Sequence, residues 1–313
     1  MALPTGPWTG ACRADQPDPG RAEGRQTDLR PGFLLIDKPH GPTSHDVVAQ
    51  VRRVLGERRV GHAGTLDPFA TGLLLVLVGR ATRLARFLAT LTKRYEGVVR
   101  LGVTTSTDDA TGDVLFESQR WRDIGDQEVR RALRDLEGKR EQRPPVYSAK
   151  KIGGVPAHRR ARRGEAVELP SSTVVIHRLR MTRREGARVQ FEAEVGSGTY
   201  MRAIARDLGR SLGCGAHLAS LRREGIGPFS VVEALPLDEL GRGEPVLRGV
   251  RELVGHLPIL EVGDAEGERV AHGRAIRAEI ATGQPVAILA GGDLVAVAEP
   301  KDGLLKPRVV LRG

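Results

Sequence analysis

The spacing of apolar residues along the chain changes repeatedly between strand-like and helix-like patterns. Continuous or alternating apolar runs predict five strands in the first two thirds of the chain, which are Phe33–Ile36, Leu73–Val78, Tyr95–Leu101, Thr173–Met181 and Val189–Val195. Helical spacing predicts helices that run from a cap at Thr43 or Ser44 to Gly56, through Leu84 to Leu88, through Val129 to Leu136, and from Thr199 to Gly213. Because strands and helices do not alternate regularly, the pattern predicts the α+β class.

Composition divides the chain into three parts. Residues 1–31 are rich in proline, glycine, aspartate and arginine and lack apolar periodicity, which predicts a disordered tail. Residues 32–257 carry most of the predicted elements and form the main domain. Residues 258–313 contain short strand patterns separated by glycine turns, and these predict a small all-β module docked on the main domain. Its strands are Pro285–Leu289, Leu294–Ala298 and Pro307–Leu311.

Several protein classes are excluded by composition. The longest apolar run, Leu73–Val78, is far shorter than the roughly 20 residues that cross a bilayer. The N-terminal residues lack the pattern of a secretory signal, so we expect a cytoplasmic protein. The two cysteines, Cys12 and Cys214, form no CxxC pair, which argues against a disulfide framework and against a zinc-thiolate site.

Positive charge is concentrated in one segment. The chain has 49 Lys and Arg against 39 Asp and Glu, a net charge of +10. The segment from Lys139 to Arg188 holds fourteen basic residues and four glutamates, which accounts for the whole excess. Such a segment is typical of proteins that bind a polyanion. Arginine-rich solvated surfaces give the same pattern, so charge alone leaves nucleic-acid binding open.

A polar, glycine-rich loop, Arg58–Gly72, leads directly into the apolar strand that begins at Leu73. Small residues allow a ligand to approach the backbone closely. Pro68 restricts Asp67 to extended conformations, which would hold its carboxylate in one orientation. An Asx turn, in which Asp67 bonds only to nearby backbone, would explain the same residues. The loop lacks the Gly-Lys-Ser/Thr ending of a phosphate-binding loop.

Six short motifs occur in one order along the chain. They are LIDKP at 35–39, GTLDPFATGLL at 64–74, KRY at 93–95, PPVYSA at 144–149, GTYMR at 198–202 and GCGAHL at 213–218. In residues, order and spacing they resemble the TruB-type bacterial tRNA pseudouridine-55 synthases, over about residues 32–313. The resemblance implies a mixed, largely antiparallel sheet flanked by helices. It also implies an isomerase that needs no metal and no cofactor.

The resemblance assigns the chemistry to four side chains. It makes Asp67 the nucleophile and Arg202 the cation that pairs with it. Such a cation is required because burial raises the pKa of a carboxyl group that must stay ionised. The resemblance also gives Tyr95 as the ring that stacks on a flipped-out uracil and Tyr200 as the residue at the base edge. Considered singly, each tyrosine also fits a half-buried core position.

Further positions match motif residues with less direct roles. The resemblance implies that His62 enters the RNA loop vacated by the flipped base, although a loop histidine bonded to backbone is an alternative. Leu221 matches a substrate-contacting position, and Lys38 and Pro39 match a motif that braces the active-site loop.

The basic segment and the C-terminal module resemble RNA-binding parts of the same enzymes. Residues 142–168 are similar to a thumb-like insertion that clamps the RNA arm through its phosphates. The residues assigned to the clamp are Lys150, Lys151, Arg159, Arg160, Arg162 and Arg163. The chain has Ala157–Arg160 where the family commonly has a tyrosine-containing helix, so packing of the clamp is expected to differ. Residues 258–313 resemble a short PUA-type RNA-binding domain.

The sequence therefore predicts a stand-alone enzyme that isomerises the T-loop uridine of tRNA, position 55. We expect tRNA as its partner, no obligatory protein partner, no membrane contact and, by default, a monomer. Three alternatives stay open: a guide-RNA-dependent synthase of the same superfamily, a non-catalytic tRNA-binding chaperone, and a glycosidase. The last is the weakest, because glycosidases use two carboxylates and no second acid has a setting similar to that of Asp67.

Overall fold

The computed structural model describes residues 30–147, 151–152, 155–156, 169–243, 245–277 and 283–312. The tail predicted for residues 1–31 lies outside these ranges except for its last two residues.

The strands and helices of the described residues are short and closely spaced. The strands are β1 (Gly32–Lys38), β2 (Val60–His62), β3 (Thr71–Val78), β4 (Lys93–Leu101), β5 (Val103–Thr105), β6 (Val114–Glu117), β7 (Gly138–Gln142), β8 (Lys151–Ile152), β9 (Val155–Pro156), β10 (Ser172–Glu185), β11 (Arg188–Val195), β12 (Ala216–Ile226), β13 (Phe229–Ser230), β14 (Leu235–Pro236), β15 (Arg248–Gly249), β16 (Ile259–Val262), β17 (Ile276–Arg277), β18 (Val286–Ala290), β19 (Asp293–Lys301) and β20 (Leu304–Val310). The α-helices are α1 (Ser44–Leu55), α2 (Ala85–Leu88), α3 (Asp126–Arg134), α4 (Met201–Ser211) and α5 (Asp264–Ala271). Short 3₁₀ segments are Gly79–Leu84, Arg120–Arg122, Val231–Glu233, Leu237–Glu239 and Glu252–Val254.

One large sheet organises the main domain. Among the described residues it has eleven strands, with β14-β1-β3-β12-β4-β11-β10-β7 as its main order. The pairs β1–β14 and β3–β12 are parallel, and the other pairs of this sheet are antiparallel. The predicted α+β class with a mixed, largely antiparallel sheet is therefore confirmed.

Burial explains why the strands have different sequence patterns. Strand β3 reads as a continuous apolar run because it is covered on both faces, by α1 on one face and by the C-terminal sheet on the other. Strands β10 and β11 alternate because only one face packs, against α3 and α4, while the other faces solvent. The continuous apolar run of β3 thus reflects its cover on both faces.

The C-terminal residues form a second sheet with the order β16-β18-β19-β20-β17. Helix α5, which the sequence pattern did not indicate, covers one face. Side chains of the other face, such as Leu289 and Val297, join the core beneath β1 and β3. Arg80 and Arg83 add hydrogen bonds to the carbonyl oxygens of Leu311 and Val310, at 3.3 and 2.7 Å.

Helix α1 has the limits that the sequence predicts. Thr43 is its N-cap and exchanges hydrogen bonds with Asp46 in a capping box. Gly56 ends the helix in the left-handed conformation, with φ of 62°.

Three sequence predictions need correction. The predicted loop at 58–72 contains the short strand β2. The predicted strand Thr173–Met181 is longer, because β10 continues to Glu185 and only residues 186 and 187 separate it from β11. The predicted helix around Leu84 is a 3₁₀ segment followed by the four-residue α2.

The sequence analysis also missed the central strand β12. Its alternation is obscured by the consecutive charged residues Arg222, Arg223 and Glu224. The side chain of Arg223 is turned into the core and is only 1% exposed, which a hydropathy pattern does not indicate.

Candidate active site

Asp67 lies in the loop that connects β2 to β3, with an exposed proline after it. The loop is anchored to the sheet by a hydrogen bond from the backbone N–H of Ala63 to Leu75 O, at 2.9 Å. Among the described residues, the partner of the Asp67 carboxylate is Arg202 rather than nearby backbone. The Asx-turn alternative therefore does not describe this loop.

Arg202 meets Asp67 as a two-pronged ion pair. Its Nε lies 3.0 Å from Asp67 Oδ2, and its Nη2 donates to Asp67 Oδ1 at 3.1 Å. Arg202 stands in the first turn of α4 and its side chain is 7% exposed, against 37% for Asp67. The carboxylate is thus accessible from one side while its partner is held inside the protein.

A second carboxylate, Asp109, lies behind Arg202 and was missed by the sequence analysis. Its Oδ2 is 3.4 Å from Arg202 Nη1, and its side chain is 5% exposed. Its Oδ1 accepts hydrogen bonds from the hydroxyl groups of Thr107 and Thr111, each at 2.6 Å. The Thr-x-Asp-x-Thr pattern was the only signal in the sequence, and it marks a turn as readily as a site.

Arg202 also donates to two backbone carbonyl oxygens, Thr107 O at 3.2 Å and Tyr147 O at 2.9 Å. The neighbouring carboxylate, Asp108, pairs at 2.8 Å with Arg206, one helical turn further along α4. Consecutive aspartates in one turn thus hold consecutive turns of the helix. This double attachment fixes the direction in which Arg202 extends toward Asp67.

Burial and neighbouring charges set the protonation of Asp67. Desolvation raises the pKa of its carboxyl group above the ordinary value, and the charge of Asp109 adds to the rise. Arg202 and Lys38 oppose this rise in pKa. The carboxylate is therefore more basic than an exposed aspartate, while Arg202 favours its ionised form.

A cavity of about 290 Å³ opens in front of Asp67. Tyr95, Tyr200 and Leu221 line it together with Asp67 and Arg202, so the structure brings together five of the residues singled out from the sequence. The others that line it include Gly64, Thr65, Leu66, Lys93, Val195, Gly196, Ser197, Gly198, Thr199 and Arg223.

Tyr200 and Lys93, which both line the cavity, differ in their surroundings. The backbone of Tyr200 exchanges hydrogen bonds with the buried side chain of Gln142, at 2.8 and 3.2 Å. Lys93 is 8% exposed, and burial lowers its pKa to about 8.

Lys38 and Pro39 lie beneath the loop rather than in the cavity. Lys38 is fully buried and donates to Pro39 O and Pro42 O at 2.9 Å and to Pro68 O at 3.4 Å. Burial lowers its pKa to about 8. These bonds join the end of β1 to the residue after Asp67, an arrangement that suits the predicted bracing.

His62 lies on β2 and is not among the described residues that line the cavity. Its ring contacts that of His45 edge to face, with centroids 5.7 Å apart. Burial lowers its pKa to about 4, so the ring is neutral at physiological pH. Its buried Nδ1 has no hydrogen-bond partner among the described residues, unlike the backbone-bonded histidine of the alternative reading.

The structure describes no side chain of the six basic residues assigned to the clamp. Lys150, Arg159, Arg160, Arg162 and Arg163 lie outside the described residues, and only the backbone of Lys151 falls within them.

Comparison with known proteins decides the family. Residues 52–201 match the sequence model of the TruB family pseudouridylate synthase N-terminal domain, and residues 202–243 match that of the tRNA pseudouridylate synthase B C-terminal domain. The chain belongs to the TruB family of pseudouridylate synthases. The C-terminal match ends before the second sheet, so the prediction of a PUA-type domain at 258–313 stays a prediction.

Relatives and solved structures agree with this family. The chain is 46% identical to the tRNA pseudouridine synthase B of Thermobifida fusca, over 90% of this chain and 99% of that protein. It is 41% identical to the enzyme of the same name from Corynebacterium efficiens, over 90% and 96%. A crystal structure of the archaeal box H/ACA sRNP Nop10-Cbf5 complex is similar with a TM-score of 0.68 and 26% identity, over 90% of this chain and 86% of that one.

The described residues offer no candidate for a membrane span or for a metal site. None of the described helices is both long enough and apolar enough to span a membrane. In the same residues, no three histidine, cysteine, aspartate or glutamate side chains are grouped so as to hold a metal ion.

Proposed function

We propose that this chain converts the T-loop uridine of tRNA, position 55, to pseudouridine, with Asp67 as the nucleophile and without a guide RNA. The observation that carries the proposal is the bidentate ion pair of Arg202 with Asp67. It lies at the cavity that Tyr95 and Tyr200 line. It occurs in a chain that shares 46% identity with a tRNA pseudouridine synthase B.

The reaction is an isomerisation. Asp67 attacks either the uracil ring or the ribose C1′, and the N1–C1′ bond breaks. The base turns, C5 bonds to C1′, the bond to Asp67 breaks, the proton on C5 is lost, and N1 gains one. Atoms and electrons balance without an oxidant or a second substrate. A carboxylate suits this step because it forms a covalent bond and can leave again.

The uridine must leave the RNA stack to reach Asp67, which costs a few kcal/mol. The ring of Tyr95 offsets part of this cost by stacking on the base, at about 1–3 kcal/mol. Tyr200 stands at the base edge and assists loss of the C5 proton. Arg202 keeps Asp67 ionised, and Asp109 holds Arg202 in place.

The remaining residues bind or support. Leu221 contacts the base through its backbone, and His62 enters the RNA loop that the base has left. Lys38 and Pro39 brace the catalytic loop. The clamp at 142–168 and the module at 258–313 bind the RNA backbone. We assign tRNA as the partner in the cytoplasm, with no obligatory protein partner and with the enzyme acting as a monomer.

The guide-dependent alternative is supported by structural similarity. A Cbf5-Nop10-Gar1 complex is similar with a TM-score of 0.69, but at 26% identity. Identity to the stand-alone enzymes reaches 46% and covers 99% of the relative. We therefore favour the stand-alone activity.

Release of tritium from C5-labelled uridine in an unmodified tRNA transcript tests the proposal. The assay contains no guide RNA, metal or nucleotide, and primer extension locates the modified position. A transcript with cytidine at the T-loop position is the matched control. We expect release from the uridine transcript alone. Tight tRNA binding without release would overturn the proposal and favour a guided enzyme or a chaperone.

A further inference from the structure

Arg223 is a buried cation beneath the loop that carries Asp67. It has no role in the proposed reaction. It lies on the central strand β12 and is 1% exposed. Its charge contributes to the lowered pKa values of Lys38 and Lys93, which burial mainly causes. Within the described residues, no carboxylate forms an ion pair with it.

The guanidinium group of Arg223 binds the loop on both sides of Asp67. Its Nη2 donates to Gly64 O at 3.0 Å, and its Nη1 donates to Thr65 O at 3.4 Å. Its Nε donates to Leu73 O at 2.7 Å. One rigid, planar group therefore joins the segment that precedes the nucleophile to the strand that follows it.

The backbone of Arg223 leaves the loop little freedom. Strands β12 and β3 pair in parallel, with Arg223 opposite Gly72. Gly72 has a φ of +99°, and a Cβ atom there would lie 2.4 Å from Arg223 O. The two strands thus touch at the point where the loop becomes β3. The Arg223 side chain extends from this point to the loop.

Burial of the Arg223 charge is energetically unfavourable, which points to a specific role for this residue. A buried charge without a counter-charge is unfavourable unless hydrogen bonds compensate it. Three carbonyl oxygens in three directions provide that compensation, and a lysine, whose donors radiate from a single atom, does not reach them all. A buried apolar residue at this position would fill the space without the charge, but it would not hold the loop.

We infer that Arg223 is a positioning residue for the nucleophile. By holding Gly64, Thr65 and Leu73 together, it sets the position of Asp67 relative to Arg202 without touching either side chain. The inference rests on the proposed role of Asp67.

Two neighbouring variants test this inference. Arg223→Lys keeps the charge but removes the guanidinium group that donates to three carbonyl oxygens. Arg222→Lys is the matched control, because Arg222 is the adjacent residue, is 39% exposed and pairs with Asp37 on the opposite face of the sheet. The measured quantities are the single-turnover rate of tritium release and the Kd for tRNA, with circular dichroism as the check of folding.

We expect Arg223→Lys to lower the single-turnover rate about 10- to 100-fold, since small displacements of a reacting group have effects of that size. The Kd for tRNA should change little, because the phosphate contacts that dominate affinity are untouched. Arg222→Lys should behave as wild type in both. A rise in Kd that accounts for the loss, or equal rates for the two variants, would overturn the inference.

If Arg223→Lys does not fold, Gly64→Ala replaces it. That variant leaves Arg223 in place and strains the backbone whose carbonyl it binds, at a φ of +94°. It should show the same loss of rate at constant Kd, and a wild-type rate would overturn the inference. Failure of the proposed function is distinguishable, because wild-type enzyme would then release no tritium.

Discussion

The two faces of the central sheet each carry a forked arginine–aspartate pair, and the two pairs differ in their surroundings. Arg202 contacts Asp67 at 3.0 and 3.1 Å, and Arg222 contacts Asp37 at 3.0 and 2.7 Å. Both pairs are bidentate at similar distances, through Nε and Nη2 of Arg202 and through the two terminal nitrogens of Arg222. Arg202 is 7% exposed and also faces Asp109, whereas Arg222 is 39% exposed and also pairs with Glu224.

The difference teaches that a bidentate ion pair alone does not mark a catalytic site. A pair whose arginine contacts water exchanges that water for a partner with little net gain. The buried Arg202 has little such contact with water, so its charge depends on the carboxylates around it. What distinguishes Asp67 is the combination of a buried cationic partner, a second acid behind that partner and an open cavity in front.

The largest difference between the faces is expected on replacing the two arginines. Arg202→Gln leaves Asp67 and Asp109 without their cation, so the pKa of Asp67 rises and its ionised fraction falls. We expect a loss of single-turnover rate on the order of 10³-fold, as for other losses of a preorganised charge. Arg222→Gln should stay within about twofold of wild type. Similar losses for both variants would break the comparison.

Removing the acid behind Arg202 should change the pH dependence of the rate. The proposed mechanism needs ionised Asp67, so the rate is expected to rise with pH through the pKa of that group. Asp109→Asn removes a negative charge that raises this pKa, so the acid limb should move to lower pH. The maximal rate should fall about tenfold or more, because Arg202 loses a fixed partner. A pH–rate profile measures both, and an acid limb that stays in place would contradict the electrostatic account.

Tyr95→Ala tests the cavity in front of Asp67. Loss of stacking should lower kcat/KM by the equivalent of about 1–3 kcal/mol. Tyr95→Phe keeps the ring and should retain most of the activity. Unchanged kcat/KM for the alanine variant would remove the stacking role.

The charges predicted to bind RNA should affect the salt dependence of tRNA binding, which neither arginine–aspartate pair is expected to do. Replacing Arg159, Arg160, Arg162 and Arg163 by alanine should reduce the slope of log Kd against log salt by about 3, since each phosphate contact contributes about 0.7–0.9. The same change at Arg131 and Arg134, on the exposed side of α3, should leave the slope as it is. Equal slopes for both sets would argue against the clamp.

The smallest effect is expected in stability. Asp37→Asn breaks the half-buried pair with Arg222, and we expect its free energy of unfolding to fall by about 0–1 kcal/mol. Urea denaturation measures this change. A loss of several kcal/mol would show that this pair is not the weak reference that the comparison requires.

The sequence predicts well those elements whose pattern is local. Thr43 and Gly56 delimit α1 because capping depends on nearby residues. Strand β3 was predicted from its continuous apolar run, which reflects cover on both faces. Strand β12 was missed because its charged residues face two environments, and only the tertiary structure shows that Arg223 is buried.

The candidate site was predicted by resemblance and not by spacing. Asp67 and Arg202 are far apart in sequence, and no pattern in the chain indicates that they meet. Asp109 and Arg223 were missed because their roles arise from contacts with Arg202 and with loop carbonyls, which exist only in the folded chain.

The most direct test compares Asp67→Asn with Asp37→Asn in single-turnover tritium release from a tRNA transcript. Each substitution removes one carboxylate from a forked pair, and tRNA binding is measured beside it. We predict that Asp67→Asn abolishes release while its Kd stays within a few-fold of wild type, and that Asp37→Asn reacts at the wild-type rate. Release by Asp67→Asn near the wild-type rate would contradict its assignment as the nucleophile.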